Sequence, residues 1–340
     1  MGTIALKEKY LAYKADHPKK RIRDIAADLQ VSEAELLMTG LGENTVMLDS
    51  AFEDILKEVP ELGYVMALTR NEYCVHERKG TYQKISFSPH AGLVLGEDID
   101  LRLFMNKWKF GFAIEDNTLK SLQFFDANGV AIHKIYLTEK SNAENYRNLI
   151  NKFQKTDQRP VNIWPAVKSF APEKPDEEID LAAFHIAWRT LQDTHEFFGL
   201  LRRFGLGRTQ ALRLAPQGYA HQINMPDFKA VVTACSERQV PVMVFVGNHG
   251  CIQIHTGTVT KLAEMGPWFN VLDPDFNLHL REDAVASAWH VIKPSADGDI
   301  NSLELFDKDG EMIVQLFGKR KPGIPELREW KAIMTEYLAD

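Results

Sequence analysis

The sequence predicts an α+β fold that arises by duplication of one unit, in which N-terminal helices precede a large antiparallel sheet. Three observations support this prediction. Two stretches of the chain align with each other, each stretch has the pattern of helices followed by short strands, and both contain a similar hairpin-turn sequence at the same place. Helices that are separate from a run of antiparallel hairpins are typical of the α+β class.

The repeat appears when residues 65–103 are aligned with residues 242–280, a shift of 177 positions. No gap is needed, and Asn71 then aligns with Asn248. Identities spread over such a length without a gap indicate a duplicated structural unit rather than a chance match.

Further along the chain the shift becomes 181, and residues 121–129 align with residues 302–310. The second copy has therefore gained four residues between the two blocks, which indicates a loop insertion, because lengthening a surface loop costs little free energy. Both blocks end in a turn sequence, Asp126-Ala-Asn-Gly129 and Asp307-Lys-Asp-Gly310. Each turn lies between two apolar runs and predicts a β-hairpin.

Short segments rich in β-branched and aromatic residues lie between turn signals and predict strands. In the first copy these segments are 64–68, 72–77, 101–104 and 121–125. Amphipathic helical segments come before the strands in both copies. Prolines and charged residues are concentrated between the copies, which is typical of a linker. We predict a first repeat over 10–155, a proline-rich linker over 156–181 and a second repeat over 182–340.

The composition limits the classes of function. The chain has 340 residues and a net charge of −7, so its overall field does not favour nucleic acid or an anionic membrane. Met1 to Lys20 lacks the pattern of a signal peptide, and no stretch is long and apolar enough to span a membrane. The cysteines Cys74, Cys235 and Cys251 leave one unpaired and form no CxxC motif, which is typical of a reducing compartment. We expect a cytoplasmic protein, either a monomer or a weak homodimer.

The common motifs for phosphate, dinucleotide, hydrolase and metal chemistry are absent from the sequence. Residues 23–36 resemble a helix-turn-helix, with Ser32 and Glu35 as the capping box of the second helix. That helix would present Glu33 and Glu35 to DNA at its N-terminal end, where carboxylates repel phosphate. A structural helical hairpin is therefore the favoured interpretation, and a basic surface around Lys19 to Arg23 would favour a DNA-binding regulator instead.

His195 is the histidine with the most informative surroundings. Upstream apolar residues recur every three or four positions, and the register continues through His195 to Phe198, which places the imidazole on an apolar stripe. Asp193 followed by Glu196 also has the pattern of an N-cap, so a new helix could hold His195 in its first turn. The pattern fits two alternatives, a core histidine and a ligand of a haem iron beside apolar surface.

Several blocks of the sequence, in order, resemble the bacterial haemin-degrading and haem-trafficking family. The most specific is Asp193-Thr-His-Glu-Phe-Phe-Gly-Leu-Leu-Arg-Arg203, which is similar to the family's segment with the axial iron ligand. The resemblance extends over nearly the whole chain. The other blocks are 70–76, 89–93, 100–108, 243–248, 250–254, 289–293 and 302–307.

The resemblance implies haem as ligand and substrate, bound at the boundary between the two repeats. His195 matches the proximal iron ligand, and Arg102 matches the distal arginine, which would hydrogen-bond to a small molecule on the other face of the iron. The residues expected to line the pocket by apolar contact are Phe104, Met243 and Phe245. The residues expected on the propionate side are Arg208, Lys293, Gln315 and Arg320.

Each of these residues also has a simpler interpretation. Arg102 could pair with Asp98 or Asp100 at the surface, charged residues such as Lys293 are usually solvated, and a phenylalanine is a core residue by default. His76 and His279 are secondary candidates for contacts with the ligand.

Two positions depart from the family pattern. Phe317 stands where relatives often carry tyrosine, and His249 stands where arginine is common.

The resemblance leaves two functions open. An enzyme would open the porphyrin ring of haem and release iron, with Arg102 needed for the chemistry and electrons from an external donor, because the sequence has no flavin or nicotinamide fingerprint. A haem chaperone would need His195 and the propionate contacts without a need for Arg102. The expected partners are haem, an external reductant, and a haem importer or a separate haem oxygenase.

Overall fold

The computed structural model describes residues 3–116, 119–165, 172–321 and 323–338. These residues divide into two units. The ranges 3–70, 77–165 and 248–253 form unit 1, and the ranges 71–76, 172–247 and 254–338 form unit 2. Each unit thus contains a six-residue piece from the other half of the sequence. The predicted boundaries of the repeats at 155 and 182 stay a prediction.

In each unit helices lie before the first strand, between the first two strands that follow, and after the last strand. Unit 1 contains α1 (Thr3–Asp16), α2 (Ile22–Asp28), α3 (Glu33–Met38), α4 (Phe52–Glu58) and α5 (Ala143–Phe153). Unit 2 contains α6 (Leu181–Arg189), α7 (Glu196–Phe204), α8 (Arg208–Arg213), α9 (Met225–Glu237) and α10 (Arg328–Leu338). Short 3-10 helices cover Val59–Leu62, Met105–Lys107, Asp176–Glu178 and Glu282–Ala284. Within the described residues, no helix is long and apolar enough to cross a membrane.

The first nine strands lie in the first half of the sequence. They are β1 (Thr45–Leu48), β2 (Gly63–Arg70), β3 (Cys74–Gly80), β4 (Ile85–Phe87), β5 (Gly92–Leu95), β6 (Asp100–Leu103), β7 (Phe110–Glu115), β8 (Lys120–Phe125) and β9 (Ala131–Ser141). The other nine are β10 (Ala220–Ile223), β11 (Val242–Gly247), β12 (Cys251–Gly257), β13 (Leu262–Met265), β14 (Trp268–Leu272), β15 (Phe276–Arg281), β16 (Ser287–Lys293), β17 (Ile300–Phe306) and β18 (Met312–Gly318).

The two units pair their strands in the same way. In unit 1 the antiparallel order is β1, β7, β8, β9, β2, and β4, β5 and β6 form a second antiparallel set. In unit 2 the order is β10, β16, β17, β18, β11, and β13, β14 and β15 form the second set. The predicted α+β class and the internal duplication are therefore confirmed.

The two predicted hairpin turns are confirmed and have the same construction. The carboxylate of Asp126 accepts hydrogen bonds from the backbone N–H groups of Asn128 and Val130, each 2.8 Å long. The matching turn places Gly310 at a φ of 76°, as Gly129 stands at 73°. Only glycine adopts this backbone region without strain, which explains why both copies keep a glycine here.

An asparagine turn is the second feature that both units share. In unit 1 the Asn248 amide nitrogen donates to the carbonyls of Arg70 and Ile132 at 2.9 Å, and its side-chain oxygen accepts from the backbone N–H groups of Gly250 and Cys251. In unit 2 Asn71 makes the matching set of bonds. The side chain thus satisfies four backbone groups that would otherwise lack partners at the end of a strand.

The predicted capping box of the second helix in the helix-turn-helix-like segment is confirmed. The Ser32 side chain accepts from the backbone N–H of Glu35, whose carboxylate accepts from the backbone N–H of Ser32. Glu33 is 6% exposed and forms an ion pair with Lys134 of β9. The N-terminus of α3 therefore packs on the sheet of its own unit, as a structural hairpin requires.

We predict that Asn248→Ala lowers the free energy of unfolding by about 2–3 kcal/mol, because the truncation leaves buried backbone groups without partners. Denaturant unfolding followed by circular dichroism measures the change. The control is Asn106→Ala at an exposed position, for which we expect a change within about 0.5 kcal/mol. Equal effects of the two substitutions would contradict the role given to the Asn248 turn.

Candidate functional site

His195 lies at a break between two helices of unit 2. Helix α6 ends at Arg189 and α7 begins at Glu196, so His195 is the residue immediately before the new helix. Its side chain is 85% exposed. An imidazole at this position is accessible to a ligand.

The carboxylate of Asp193 orients the imidazole of His195. Its Oδ1 atom accepts from the backbone N–H of His195 at 2.8 Å and from the imidazole Nδ1 at 2.6 Å. The backbone N–H of His195, the imidazole and the positive charge of Arg320 lower the pKa of Asp193. Because a carboxylate can only accept, Nδ1 carries the hydrogen in this bond. The other ring nitrogen, Nε2, is then the one that can bind a metal.

The prediction that His195 continues an apolar stripe is wrong, and so is the alternative of a core histidine. The side chain of Phe198, in the same predicted register, is 63% exposed. The helical periodicity is interrupted because α6 ends and the Glu196 carboxylate accepts from the backbone N–H of Gln192. A new helix does start here, as the second interpretation predicted, but His195 precedes its first turn, and the predicted N-cap role of Asp193 is wrong, because the carboxylate bonds to His195 and not to the N–H groups of α7.

A buried carboxylate, Glu304 of β17, brings together three of the predicted site residues. Arg208 at the start of α8 donates from Nε and Nη2 to its two oxygens, both at 2.8 Å. Lys293 of β16 donates to it at 2.5 Å, and Gln315 of β18 donates at 2.7 Å. We call Glu304, Arg208, Lys293 and Gln315 the Glu304 cluster.

The Glu304 cluster contains one carboxylate and two cations. Burial alone raises the pKa of Glu304, but the charges of Arg208 and Lys293 outweigh it, and the net shift is downward. Burial lowers the pKa of Lys293 to about 8, although Glu304 acts in the opposite direction. One carboxylate and two cations leave the cluster with one net positive charge. Lys293 is not the solvated charge that the simpler interpretation expected, since it is 2% exposed.

Aromatic rings surround the cations of the cluster. The Lys293 ammonium lies 4.9 Å from the centre of the Phe197 ring, and the Arg208 guanidinium lies 5.2 Å from it. Phe197 is the second residue of α7, so the helix that begins beside His195 also supports both cations. The rings of Phe245 and Phe317 lie 5.3 Å apart, and Met243 is the register partner of Phe317 between β11 and β18.

Arg320 follows β18 and lies apart from the cluster. Its guanidinium is 3.6 Å from the carboxylate of Asp297. Its charge also acts on Asp193, the partner of His195. A positive charge close to Asp193 is consistent with the prediction that Arg320 lies near the anionic groups of a ligand.

Two predicted site residues, Arg102 and Phe104, belong to unit 1. Arg102 of β6 forms an ion pair with Asp100, which agrees with the simpler interpretation. Burial raises the pKa of Asp100. Phe104 is half-buried, and its backbone N–H donates to the carbonyl of Gly250 at 3.0 Å.

The other three histidines singled out in the sequence, His76, His279 and His249, have local partners. His76 is buried, with its ring centre 5.0 Å from that of Phe276. The imidazole of His279 donates from Nδ1 to the side-chain oxygen of Asn270 at 2.7 Å. His249 lies 3.0 Å from the carboxylate of Asp126 in the hairpin turn of unit 1.

Two residues of this site were not identified from the sequence as ligand-orienting groups. Glu304 was noted only as part of a family block, and Asp193 only as a helix cap. A signal existed for each. Glu304 stands between Leu303 and Leu305, where a buried acid needs cationic partners, and Asp193 stands two residues before a histidine.

The donor set limits the kind of ligand that fits. Among the residues that the structure describes, no group of three His, Cys, Asp or Glu side chains could hold a metal ion. An exposed imidazole with a fixed tautomer can still give one axial bond to a metal that carries its other ligands with it. The half-exposed guanidinium of Arg208 and the aromatic rings near it fit a flat ligand with carboxylate groups.

The model of the haemin-degrading HemS/ChuX domain matches the chain twice, over residues 30–153 and 205–337. The match includes the segment of Arg102 and Phe104 in the first copy and Arg208, Glu304 and Gln315 in the second. His195 lies outside both matched ranges.

Individual relatives match almost the whole chain. The hemin transport protein HmuS of Yersinia pestis is 37% identical over 332 residues, which cover 96% of this chain and 95% of HmuS. The holo structure of PhuS, a heme-binding protein from Pseudomonas aeruginosa, has 44% identity and a TM-score of 0.96, with 99% of each chain covered. The heme degrading enzyme ChuS of Escherichia coli O157:H7 has 34% identity and a TM-score of 0.91, also with 99% of each chain covered.

We predict that alanine substitutions at two residues of the site differ strongly in their effect on the free energy of unfolding. His195→Ala changes the free energy of unfolding by no more than about 0.5 kcal/mol, since an exposed side chain contributes little to the core. Glu304→Ala lowers it by about 3–5 kcal/mol, because it leaves two cations without their buried partner. Denaturant unfolding of both variants tests the prediction. A large loss of stability in His195→Ala would contradict the exposed position of the imidazole.

Proposed function

This chain belongs to the family of haemin-degrading HemS/ChuX domains, and on that premise we propose that it binds haem through the imidazole of His195. One observation carries the proposal. His195 is highly exposed while Asp193 fixes its ring by a 2.6 Å hydrogen bond to Nδ1. A histidine held in this way is oriented to bind a metal ion rather than to pack against other side chains.

The pair of Asp193 and His195 has the chemistry of an axial ligand. The carboxylate holds the hydrogen on Nδ1, so Nε2 keeps its lone pair for iron. A carboxylate partner also raises the basicity of a ligating imidazole and fixes the direction of its bond. Haem iron already has four porphyrin nitrogens, so one protein ligand is sufficient.

The second part of the proposal concerns the anionic edge of haem. Arg208, Lys293 and Gln315 are already assembled around Glu304, and the side chain of Arg208 is 26% exposed. With Arg320 they would bind the propionates, since guanidinium and ammonium groups form strong hydrogen bonds to carboxylates. Phe104, Met243 and Phe245 would supply apolar contacts to the macrocycle.

We propose further that the chain degrades haem. ChuS, with 34% identity over almost its full length, is described as a heme degrading enzyme. In this proposal His195 holds the substrate by its iron, and Arg102 donates hydrogen bonds on the opposite face, which stabilise developing negative charge during ring opening. Dioxygen and an external electron donor are required, and the products are an open tetrapyrrole and iron. Such a reaction with cellular reductants fits a cytoplasmic protein.

The alternative is a haem chaperone that delivers haem to a separate oxygenase. A chaperone has no need for Arg102, whose guanidinium donates from Nη1 to Asp100. PhuS is described as a heme-binding protein and HmuS as a hemin transport protein. A chaperone uses the same axial ligand and the same carboxylate contacts.

We predict that haemin gives the wild-type protein a saturable Soret band and that His195→Ala abolishes or strongly shifts it, because the substitution removes the axial nitrogen. The matched control is His90→Ala, which removes an exposed histidine elsewhere. Titration by absorbance measures both. A spectrum in His195→Ala identical to that of the wild type would show that another group ligates the iron.

We predict that haem bound to the wild type loses its Soret band with ascorbate and catalase, and that Arg102→Ala slows this loss by about 10²-fold or more, as for other groups that stabilise charge in a transition state. The control is Arg159→Ala, because Arg159 also pairs with an aspartate two residues earlier. Iron release to a chelator gives an independent measurement. Haem that stays bound and intact in the wild type would favour the chaperone.

A further inference from the structure

Glu304 cannot itself touch a bound ligand. Its side chain is fully buried in β17, where every residue is buried. Its oxygens accept hydrogen bonds from Arg208, Lys293 and Gln315, and Ser302 lies 3.2 Å away. Any effect of Glu304 on binding therefore acts through the groups that it holds.

The guanidinium of Arg208 has a second edge that its two bonds to Glu304 do not use. The pair with Glu304 uses the edge formed by Nε and Nη2. A guanidinium has another edge, formed by its two terminal nitrogens, that also matches the geometry of a carboxylate. Because the first edge is fixed by a buried partner, the direction of the second edge is fixed as well.

The ammonium of Lys293 depends on Glu304 in a different way. A buried amine with no counterion would lose its proton rather than stay charged. The charged groups that act on Lys293 are Glu304, which favours the protonated form, and Arg208, which opposes it. Glu304 thus keeps a second cation in a place where solvent does not stabilise it.

Unit 1 has a counterpart of this cluster with a different charge. In both units the first residue of a six-residue helix forms an ion pair with a strand residue of its own unit. The matching positions are Glu33 and Arg208, Gln123 and Glu304, and Lys134 and Gln315. In unit 1 Glu33 and Lys134 form a closed, neutral pair with side chains 5% and 8% exposed.

The matching contact between a helix and a sheet thus differs in net charge between the two units. The pair of unit 1 joins a helix to a sheet and has no charge left over. The Glu304 cluster joins the matching helix and sheet, but it keeps one net positive charge, and the side chain of Arg208 is partly exposed. A purely structural role would need only the neutral arrangement.

We propose that Glu304 is a positioning residue for carboxylate recognition, whose buried carboxylate fixes Arg208 so that its second edge binds a carboxylate of a porphyrin ligand, with the charge of the buried Lys293 beside it. This inference rests on the proposed function and adds the residue that gives the site its selectivity for a ligand with carboxylates. Glu304→Gln tests it with little change in volume. The amide offers one acceptor to two cationic donors, so Arg208 loses its fixed edge and Lys293 loses its counterion.

The experiment compares haemin with haemin dimethyl ester, in which the carboxylates are esterified and the iron is unchanged. The wild type, Glu304→Gln and the matched control Glu33→Gln are titrated with both ligands at pH 6 and pH 8. We expect Glu304→Gln to weaken haemin binding about tenfold or more at both pH values, because Arg208 loses its fixed edge. We expect ester binding to stay within about twofold and Glu33→Gln to keep the wild-type ratio of the two affinities.

The outcomes distinguish this inference from the proposed function. If the wild type binds neither ligand, the proposed function fails. If the wild type binds both and Glu304→Gln weakens both equally, or neither, the positioning role is overturned. Should Glu304→Gln not fold, Glu304→Asp takes its place, because it keeps the charge but withdraws the carboxylate from Nε and Nη2 of Arg208. The haemin-to-ester affinity ratio of Glu304→Asp must then fall below that of the wild type, and an unchanged ratio overturns the proposal.

Discussion

The burial of one carboxylate, Glu304, is the constraint on which the candidate site depends. Removing a carboxylate from water costs several kcal/mol unless charged partners and hydrogen bonds replace the solvent. Unit 2 meets this requirement with Arg208 from a helix and Lys293 from a neighbouring strand. The requirement therefore fixes how α8 sits on the sheet and which side chains occupy the adjacent strands.

The Glu304 cluster also supports the segment that contains His195. Both cations lie over the ring of Phe197, which is two residues beyond the histidine. The start of α7 is thus supported from one side by the cluster, while Asp193 holds the imidazole from the other. An exposed side chain can keep a defined orientation because the backbone that carries it is supported in this way.

Duplication explains the fold, and divergence of charge explains the site. Both units keep the asparagine turn and the hairpin with its glycine, because each satisfies backbone groups that any sheet of this type leaves unpaired. The helix-to-sheet contact is also kept in both, but its chemistry is not. The matching contact is a neutral pair in one unit and a positive cluster in the other.

The sequence was sufficient for the features set by local chemistry. The turn at Asp126, the capping box at Ser32 and the repeat itself depend on short patterns that have few alternatives. The division at 71–76 and 248–253 was not predicted, because periodicity does not specify which unit a strand end packs with. The sequence did not predict the exposure of His195. The apolar periodicity of the sequence continues through His195, whereas the helix itself ends before it, where side-chain hydrogen bonds interrupt the chain.

The partners of Glu304 were equally invisible in the linear pattern. Arg208, Lys293 and Gln315 are spread over more than a hundred residues and meet only in the folded unit. Resemblance to a family proposed three of them as ligand contacts, but it did not say what holds them. Only the buried acid between them explains their common orientation.

The central claim is that the Nε2 atom of His195 binds the iron of haem, and anomalous diffraction tests it most directly. Crystals of the haem-loaded protein would be measured on both sides of the iron absorption edge. The account predicts a single strong iron peak at bonding distance from the His195 imidazole, with Asp193 still bonded to Nδ1. An iron peak beside another side chain, with His195 directed into solvent, would contradict it.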